Sequence, residues 1–325
     1  MVREVGMPGT LHITNGESVE IRETGLEGNV LAWNDVLHEG PVPAALTLDE
    51  LRPVRARYLA TLGHSTESRI VADLEQRDRT LAAFAGRPEV VLWFEHDLFD
   101  QLQLLQILDW FSRETPGTTR ITLISTDTYL GTLRPEQLAA LYPARREVTA
   151  SQLDLASRVW FDFRAPDPRD LVRFALAASP ELPYLQGAIE RHLEEFPSEE
   201  SGLSRAQRQI LEALDGGSSP AGRLFRACQE REERIFMGDL VFFACLRGLA
   251  QARVPLVRLL GEDQAGRQVE ITARGRSVLR GEADHVRLNG IDRWLGGVHL
   301  HSDPDGQGRV WRWNRQDRRL SIEAR

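Results

Sequence analysis

Two short stretches of the sequence combine carboxylates with histidines, the side chains that most often bind divalent metals or transfer protons. They are residues 35–39 (DVLHE) and residues 95–97 (EHD). Carboxylate oxygens and imidazole nitrogens can ligate a divalent ion, and a carboxylate can equally hold a histidine in one tautomer for general acid–base catalysis. Neither spacing is a recognised zinc motif. The groups predicted to act as ligands or as catalytic acids and bases are Asp35, His38, Glu95, His96 and Asp97.

A structural role competes with both chemical roles. Residues 52–57 place three arginines on the helix predicted next along the chain, where they could pair with the acidic residues of these stretches. Ion-pair networks that only support structure also bring charged groups together. Metal ligands, metal-free acid–base groups and a salt-bridged rim therefore all stay open at this point. The arginines concerned are Arg52, Arg55 and Arg57.

A third stretch, residues 15–18 (NGES), could bind an anion. Glycine lets the backbone turn tightly, and a helix that follows such a turn offers unpaired N–H groups to a phosphate. The pattern predicts a brief helix that ends at Gly25. The stretch lacks the glycine pattern of dinucleotide-binding loops and the lysine of a Walker loop, and a plain helix cap is the alternative. The residues predicted to bind a phosphate-containing ligand are Asn15, Gly16, Ser18 and Asp127.

Four apolar segments that alternate with helical patterns could position these residues. Residues 10–14, 29–33, 89–94 and 120–125 are predicted strands, and the third is almost wholly apolar, as a strand buried on both faces should be. The alternation predicts a parallel sheet that helices cover on both sides. Ligands bind beyond the carboxyl ends of such strands. We therefore expect one cavity at this edge to be lined by Ser18, Asp35, His38, Glu95 and Asp97.

The second half of the chain shows helical patterns and then short strands. Three helical patterns near residues 204–214, 220–230 and 238–250 precede two strand patterns, an order that predicts a winged helix. The fold class predicted is α/β, with a parallel-sheet N-terminal domain followed by a helical segment and a winged-helix-like C-terminal domain. The predicted divisions are a Rossmann-like domain over 1–145, a helical connector over 146–200, and a winged-helix-like domain with a tryptophan-rich β tail over 201–325.

The third predicted helix of the winged helix is poorly suited to read DNA. A recognition helix carries side chains that reach base edges, whereas residues 237–250 hold only Asp239 and Arg247 as charged groups. The net charge is −13 over residues 1–200 and +5 over residues 201–325. An acidic N-terminal half repels a phosphate backbone. We predict a packing role for this helix and no nucleic-acid partner.

The composition of the chain excludes several classes of protein. Hydrophobic residues make up 42% and charged residues 27% of the sequence, which is ordinary for a globular protein. No segment approaches the roughly 20 apolar residues of a membrane helix, and the first ten residues lack a signal-peptide pattern. The two cysteines, Cys228 and Cys245, fit a reducing compartment. We predict a cytoplasmic protein without a membrane partner, and a homo-oligomer is compatible with the sequence.

Three segments resemble an uncharacterised bacterial family catalogued as domain of unknown function 1835. They are residues 11–18 (LHITNGES), 33–43 (WNDVLHEGPVP) and 93–104 (WFEHDLFDQLQL). Residues 289–300 (NGIDRWLGGVHL) are similar to a companion region of the family's longer members. The family has no established reaction and no assigned catalytic residues. The resemblance therefore implies no role for any residue of this chain.

The residues and their placement predict a binding function at the strand ends. The ligand expected there is a phosphate-containing small molecule or a nucleotide, and the protein would act on it as a metal-assisted hydrolase or transferase. The alternative is a ligand-sensing transcriptional regulator that uses the winged helix. The sequence leaves the cofactor, the metal and the substrate unknown.

Overall fold

The computed structural model describes residues 9–261, 266–304, 308 and 310–322 of the 325-residue chain. Thirteen strands lie within these ranges. They are β1 (Leu11–Thr14), β2 (Asn29–Ala32), β3 (Gly40–Pro41), β4 (Glu89–Phe94), β5 (Arg120–Ser125), β6 (Arg146–Glu147), β7 (Ser219–Pro220), β8 (Val257–Leu260), β9 (Gln268–Ile271), β10 (Ile291–Gly296), β11 (Val298–Ser302), β12 (Trp311–Asn314) and β13 (Arg319–Ile322).

The same ranges contain twelve α-helices, none of which is both long and apolar enough to cross a bilayer. They are α1 (Leu48–Leu62), α2 (Glu67–Ala82), α3 (Leu98–Phe111), α4 (Pro135–Leu141), α5 (Ala150–Phe163), α6 (Val172–Leu176), α7 (Leu185–Leu193), α8 (Arg205–Leu214), α9 (Ala221–Gln229), α10 (Asp239–Gln251), α11 (Ala273–Leu279) and α12 (His285–Asn289). Two 3-10 turns near the sheet, Ile21–Thr24 and Leu130–Thr132, also matter below.

The largest sheet has five strands in the order β2-β1-β4-β5-β6. The first four run parallel, which confirms the predicted parallel arrangement, and β4 and β5 have the bounds expected from sequence. The fifth strand, β6, is antiparallel to β5 and was not predicted, because two residues are too few to show a period-two pattern. The carboxyl ends of the four parallel strands share one edge of the sheet.

Both faces of this sheet are covered, as β4 shows best. All six residues of β4 are buried. Val90, Leu92 and Phe94 belong to the main core, which α3 and α5 also build. Val91 and Trp93 face the opposite side, where the turn Ile21–Thr24 and α4 cover them. An almost wholly apolar strand is therefore explained by burial on both faces.

Helices α8, α9 and α10 and the antiparallel sheet β7-β9-β8 enclose a second core. Phe242 and Leu246 of α10 belong to this core. Val241 of the same helix instead packs into a cluster with Ala56 and Leu59 of α1. Helix α10 is thus held between the second core and the N-terminal half.

The tail strands pack on the first core and not on the second. Strand β10 pairs with β11 as a hairpin and runs parallel to β3, which lies in the loop after β2. Leu295, Leu300 and Trp313 belong to the main core together with the large sheet. The division at residues 145 and 200 stays a prediction, and the packing joins the tail to the N-terminal half.

Candidate functional site

Three carboxylates meet at the end of β4 and the start of α3. Glu95 follows β4 directly, Asp97 caps α3 by accepting the backbone N–H of Asp100 at 3.2 Å, and Asp100 lies in the first turn of that helix. The three side chains are 4%, 3% and 1% exposed. One oxygen from each lies within 4.8 Å of the other two. Helix capping explains the position of Asp97, because aspartate is a preferred helix cap. It does not explain why two further acids are buried beside it.

Asn15, at the end of β1, bridges two of these carboxylates. Its Nδ2 donates to Oδ2 of Asp100 at 2.7 Å and to Oε1 of Glu95 at 3.4 Å. Its Oδ1 is buried and has no hydrogen-bond partner among the described residues. Flipping the amide about its Cβ–Cγ bond would exchange the two atoms and turn the oxygen toward the carboxylates. The same side chain can therefore donate to the acids or offer an oxygen ligand to a cation.

Backbone groups from two loops fix the orientation of the acids. The N–H of Leu130, in the 3-10 turn after β5, donates to Oε1 of Glu95 at 2.7 Å. The N–H of Glu95 donates to Oδ1 of Asp100 at 2.7 Å. Ser18 lies against the same turn, because a Cβ added to Gly131 would be 3.0 Å from the Ser18 hydroxyl. The loops after β1, β4 and β5 therefore meet at one place.

The three carboxylates would repel one another if all were ionised, unless a cation or bound protons balanced their charge. Burial, with the neighbouring carboxylates adding to it, raises the pKa of Asp97 to about 7 and that of Asp100 well above its usual range. Burial also raises the pKa of Glu95. No arginine in the described part of the chain forms an ion pair with any of the three. Like charges this close cannot all be ionised in a dry site.

His96 lies beside the three acids but packs between aromatic rings. Its ring centroid is 4.9 Å from that of Tyr129 and 5.9 Å from that of Tyr184, and its Nδ1 has no hydrogen-bond partner. Burial, together with the nearby charge of Arg234, lowers the pKa of His96. The imidazole is therefore neutral at neutral pH and can accept a proton.

A segment from the second half of the chain closes over this edge. Arg234 donates from Nη1 to the carbonyl oxygen of His96 at 3.1 Å, and the N–H of Ile235 donates to the hydroxyl of Tyr129 at 2.5 Å. Asp127, after β5, is exposed and close enough to act electrostatically on His96. Tyr129 and Arg234 were not predicted from sequence, because nothing in a linear pattern links residues more than 100 positions apart.

Asp35 forms a buried ion pair and does not belong to the acid cluster. Its Oδ1 accepts from Nη2 of Arg55 at 2.8 Å, and both side chains are 1% exposed. Arg55 also donates to the carbonyl oxygens of Val36 and Glu39, each at 2.8 Å. The guanidinium thus fixes the loop between β2 and β3. Of the three arginines considered from sequence as partners for the acids, Arg55 is the one that pairs with Asp35. The pair is buried, whereas the sequence suggested a pair on the rim of the site.

The ring of His38 packs against aromatic side chains. Its ring meets Phe99 and Phe236 edge-on, at 6.1 and 5.0 Å between centroids. Neither ring nitrogen has a hydrogen-bond partner, and burial lowers the pKa of His38 to about 3. The titratable groups that act on it most are Glu195 and His192, from α7 and the turn after it. Asp35 and His38 therefore contact other groups than the three acids do, and the single cavity for all five residues stays a prediction.

The first loop also differs from its prediction. No α-helix follows Asn15; the chain instead forms the 3-10 turn Ile21–Thr24, which begins after Glu20 and ends at Gly25 in a left-handed conformation. A 3-10 turn, and not an α-helix, therefore follows this stretch, and its anion site stays a prediction; the carbonyl oxygen of Gly16 accepts the Thr14 hydroxyl at 2.8 Å. Asn15 instead contributes through its side chain. Asp100, the third acid of the cluster, was not among the residues predicted from sequence. The signal that could have found it is its spacing from Asp97, because three residues in a helical first turn bring two side chains close together.

Comparison with known protein families and with curated proteins finds no match to this chain.

Proposed function

We propose that Glu95, Asp97 and Asp100 bind a divalent cation at the carboxyl edge of the parallel sheet, with Asn15 as a further oxygen ligand. The bound ion would hold a phosphate-containing small molecule or nucleotide, on which the protein acts as a hydrolase or transferase. The observation that carries the proposal is the set of three buried acids within 4.8 Å of one another. The partnerless Oδ1 of Asn15 is a second, independent one.

The ligand set favours magnesium or manganese. All the donors are oxygens, which hard cations prefer, and nitrogen or sulfur donors that would favour zinc are not among them. A divalent ion also offsets the mutual repulsion of the three buried carboxylates. It supplies the positive charge that, as the raised pKa values indicate, bound protons supply in its absence. Magnesium bound by a few carboxylates commonly completes its coordination with water and substrate phosphates.

The surroundings of the acids support an anionic ligand and proton transfer. Arg234 brings a positive charge to the same edge, and Tyr129 brings a hydroxyl. His96 is held neutral beside them, as a general base must be before it accepts a proton. A bound divalent ion would polarise a phosphoryl oxygen or activate a water molecule. The segment around Arg234 would have to open for a ligand larger than an ion, since two hydrogen bonds fasten it.

Metal binding tests the proposal directly. We expect isothermal titration calorimetry with Mg²⁺ and Mn²⁺ to show binding, and a metal at 100 times its dissociation constant to raise the free energy of unfolding by about 2.7 kcal/mol. Asp97→Asn and Asp100→Asn should abolish both effects while the variants stay folded. The matched control is Asp73→Asn, which removes an exposed carboxylate from α2. Equal binding by all four proteins would refute the metal site.

The ligand is tested in the presence of Mn²⁺. Inorganic phosphate, pyrophosphate and ATP serve as probes, and at least one should raise the melting temperature further only when Mn²⁺ is present. Stabilisation that survives in Asp97→Asn would place the phosphate site elsewhere. Metal binding without any phosphate effect would keep the cation site and remove the proposed substrate class.

A regulator that reads DNA is the second candidate. The order α8, β7, α9, α10, β8, β9 with a three-stranded antiparallel sheet supports a winged-helix assignment for the second core, which we also propose. In that assignment α10 is the recognition helix. Since Val241 and Phe242 of α10 are buried in two different clusters, the helix fits an internal packing role better than a place in the major groove.

A further inference from the structure

The hairpin β10–β11 presents two histidines and an aspartate on one exposed face. Side chains alternate along β11: Val298, Leu300 and Ser302 are buried, whereas His299 and His301 are exposed. Residues two apart on a strand share a face. The histidines therefore point the same way, in a His-x-His pattern on a rigid strand.

The opposite strand supplies the third group. Asp292 of β10 lies directly across from His301, and Trp294 lies across from His299. Nε2 of His299 is 2.7 Å from Oδ1 of Asp292, and the rings of His299 and His301 are 5.5 Å apart. One donor atom from each of the three residues lies within 4.8 Å of the other two. Side chains across a strand pair are close enough to share one ligand.

The hairpin holds these side chains in place from both sides. The ring of His299 stacks on Trp294, with 4.5 Å between centroids and 4° between planes. On the buried side of β10, Arg293 pairs with Glu39 and with Glu195. Stacking on Trp294 therefore restricts the ring of His299 before any ligand binds, which lowers the entropic cost of binding.

We propose that Asp292, His299 and His301 form a binding site for a divalent first-row transition ion of the zinc class. Two imidazoles and one carboxylate are a donor set that such ions prefer over the all-oxygen sets of magnesium. Ligand atoms about 2.0–2.2 Å from one ion lie about 3–4 Å apart, within reach of small rotations of these exposed side chains. Three protein ligands leave at least one coordination position open, as in catalytic rather than structural zinc sites.

The open position would border a cavity between the two halves of the protein. This cavity has a volume of about 660 Å³, and its lining includes Asp292 and His301 from the hairpin, Tyr58 from α1 and Cys245 from α10. An ion on the hairpin could therefore contact a small molecule in the cavity. The site is distinct from the three acids at the strand ends in both residues and donor chemistry.

Titration of the full chain with Co²⁺ tests the site. Cobalt replaces zinc and adds an absorption band that reports its ligands. We expect His299→Ala and His301→Ala each to weaken binding at this site by about tenfold or more, since even changes to residues that only hydrogen-bond to a metal ligand cost that much. The matched control is His64→Ala, which removes an exposed histidine from the loop after α1. His64→Ala should bind Co²⁺ as the unaltered protein does.

Two further variants separate this site from the acids at the strand ends. Asp97→Asn should leave the histidine-dependent Co²⁺ binding unchanged. Trp294→Phe should remove a Co²⁺-induced change in tryptophan fluorescence while binding persists, because Trp294 is stacked on the ligand His299. The proposal is overturned if the unaltered protein does not bind Co²⁺, or if His299→Ala and His301→Ala bind it as tightly as His64→Ala does. The three residues would then form only an exposed ion pair and a neighbouring histidine.

Discussion

At the scale of single residues, the partner of a buried carboxylate decides its chemistry. Asp35 and Asp97 both follow parallel strands and are both buried. Asp35 has the guanidinium of Arg55 at 2.8 Å, so its charge is balanced within the fold. Asp97 has other acids as neighbours, and the pKa of Asp97 rises to about 7. Only a carboxylate of the second kind, which has other acids and no arginine beside it, has a negative charge that a bound cation can balance.

The raised pKa values predict an unusual dependence of stability on pH. In the metal-free folded state the acids hold protons that the unfolded chain has already released, so raising the pH through about 7 should lower the free energy of unfolding. Each unit of pKa shift corresponds to about 1.4 kcal/mol at most. Between pH 6.5 and 8.5 the buried histidines His38 and His192, with pKa values of about 3, are neutral in the folded state, whereas unfolded histidines lose their remaining protons near pH 6.5, which acts in the opposite direction. Because these histidines are common to the unaltered protein and its variants, the difference in slope between them isolates the effect of the acids.

Urea unfolding in EDTA over this pH range measures the effect. The unaltered protein should lose more stability with rising pH than Asp97→Asn and Asp100→Asn do, and saturating Mn²⁺ should remove this difference. Equal pH dependence in the metal-free unaltered protein and in both variants would show that the acids do not hold protons.

Asp35 is predicted to stabilise the fold and not to take part in chemistry. Asp35→Ala would leave the charge of Arg55 buried and unbalanced, which should cost about 3–5 kcal/mol. The matched control is Asp73→Ala in the exposed Arg69–Asp73 pair, which should cost less than about 1 kcal/mol. Equal losses, measured by urea unfolding, would contradict the structural role.

At the scale of elements, two connections place the functional groups. The 3-10 turn Leu130–Thr132 brings a backbone donor to Glu95, and the segment between α9 and α10 reaches back to His96 and Tyr129. Helix α10, which follows that segment, is fixed between two cores. Helix α10, which would contact DNA in a winged helix, therefore packs between the two halves of this protein.

We expect the full chain to show no specific binding to duplex DNA at physiological salt. Helix α10 is packed on two sides, and of the arginines near the wing, Arg276 faces Asp215 at 3.8 Å and Arg280 pairs with Glu282. Fluorescence anisotropy with a labelled duplex measures this. An affinity tighter than about 10⁻⁶ M, beyond the non-specific range, that is lost in Arg274→Ala/Arg276→Ala would make the regulator the leading function.

At the scale of the whole molecule, a chain of buried ion pairs joins segments far apart in sequence. Arg293 of β10 pairs with Glu39 and Glu195, and Arg191 of α7 pairs with Glu195 and Glu232. Although burial opposes it, the two arginines hold the pKa of Glu195 at about 2. Removing one member would leave the others unbalanced in a dry environment. The network therefore joins the loop before β3, α7, the segment between α9 and α10, and the tail hairpin.

Local patterns in the sequence were enough to predict the framework. The parallel strands β4 and β5, the turn residues around them and the helical order of the second half follow from apolar runs and caps that lie close together along the chain. Strand β6 and the packing of the tail on the first core were missed. Two-residue strands carry no period, and the pairing of β10 with β3 joins residues more than 250 positions apart.

The sequence predicted that polar side chains would gather at the carboxyl edge, because a parallel sheet brings every strand end to one side. Only the tertiary structure decided which of them meet there and what each contacts. Asp35 and Asp97 look alike in sequence, but Arg55 neutralises one, while the other has the carboxylates of Glu95 and Asp100 as neighbours. Likewise, His299 and His301 become a candidate site only when β10 places Asp292 opposite them. The physical reason is that charge, burial and ligand geometry depend on neighbours that the fold, and not the chain order, supplies.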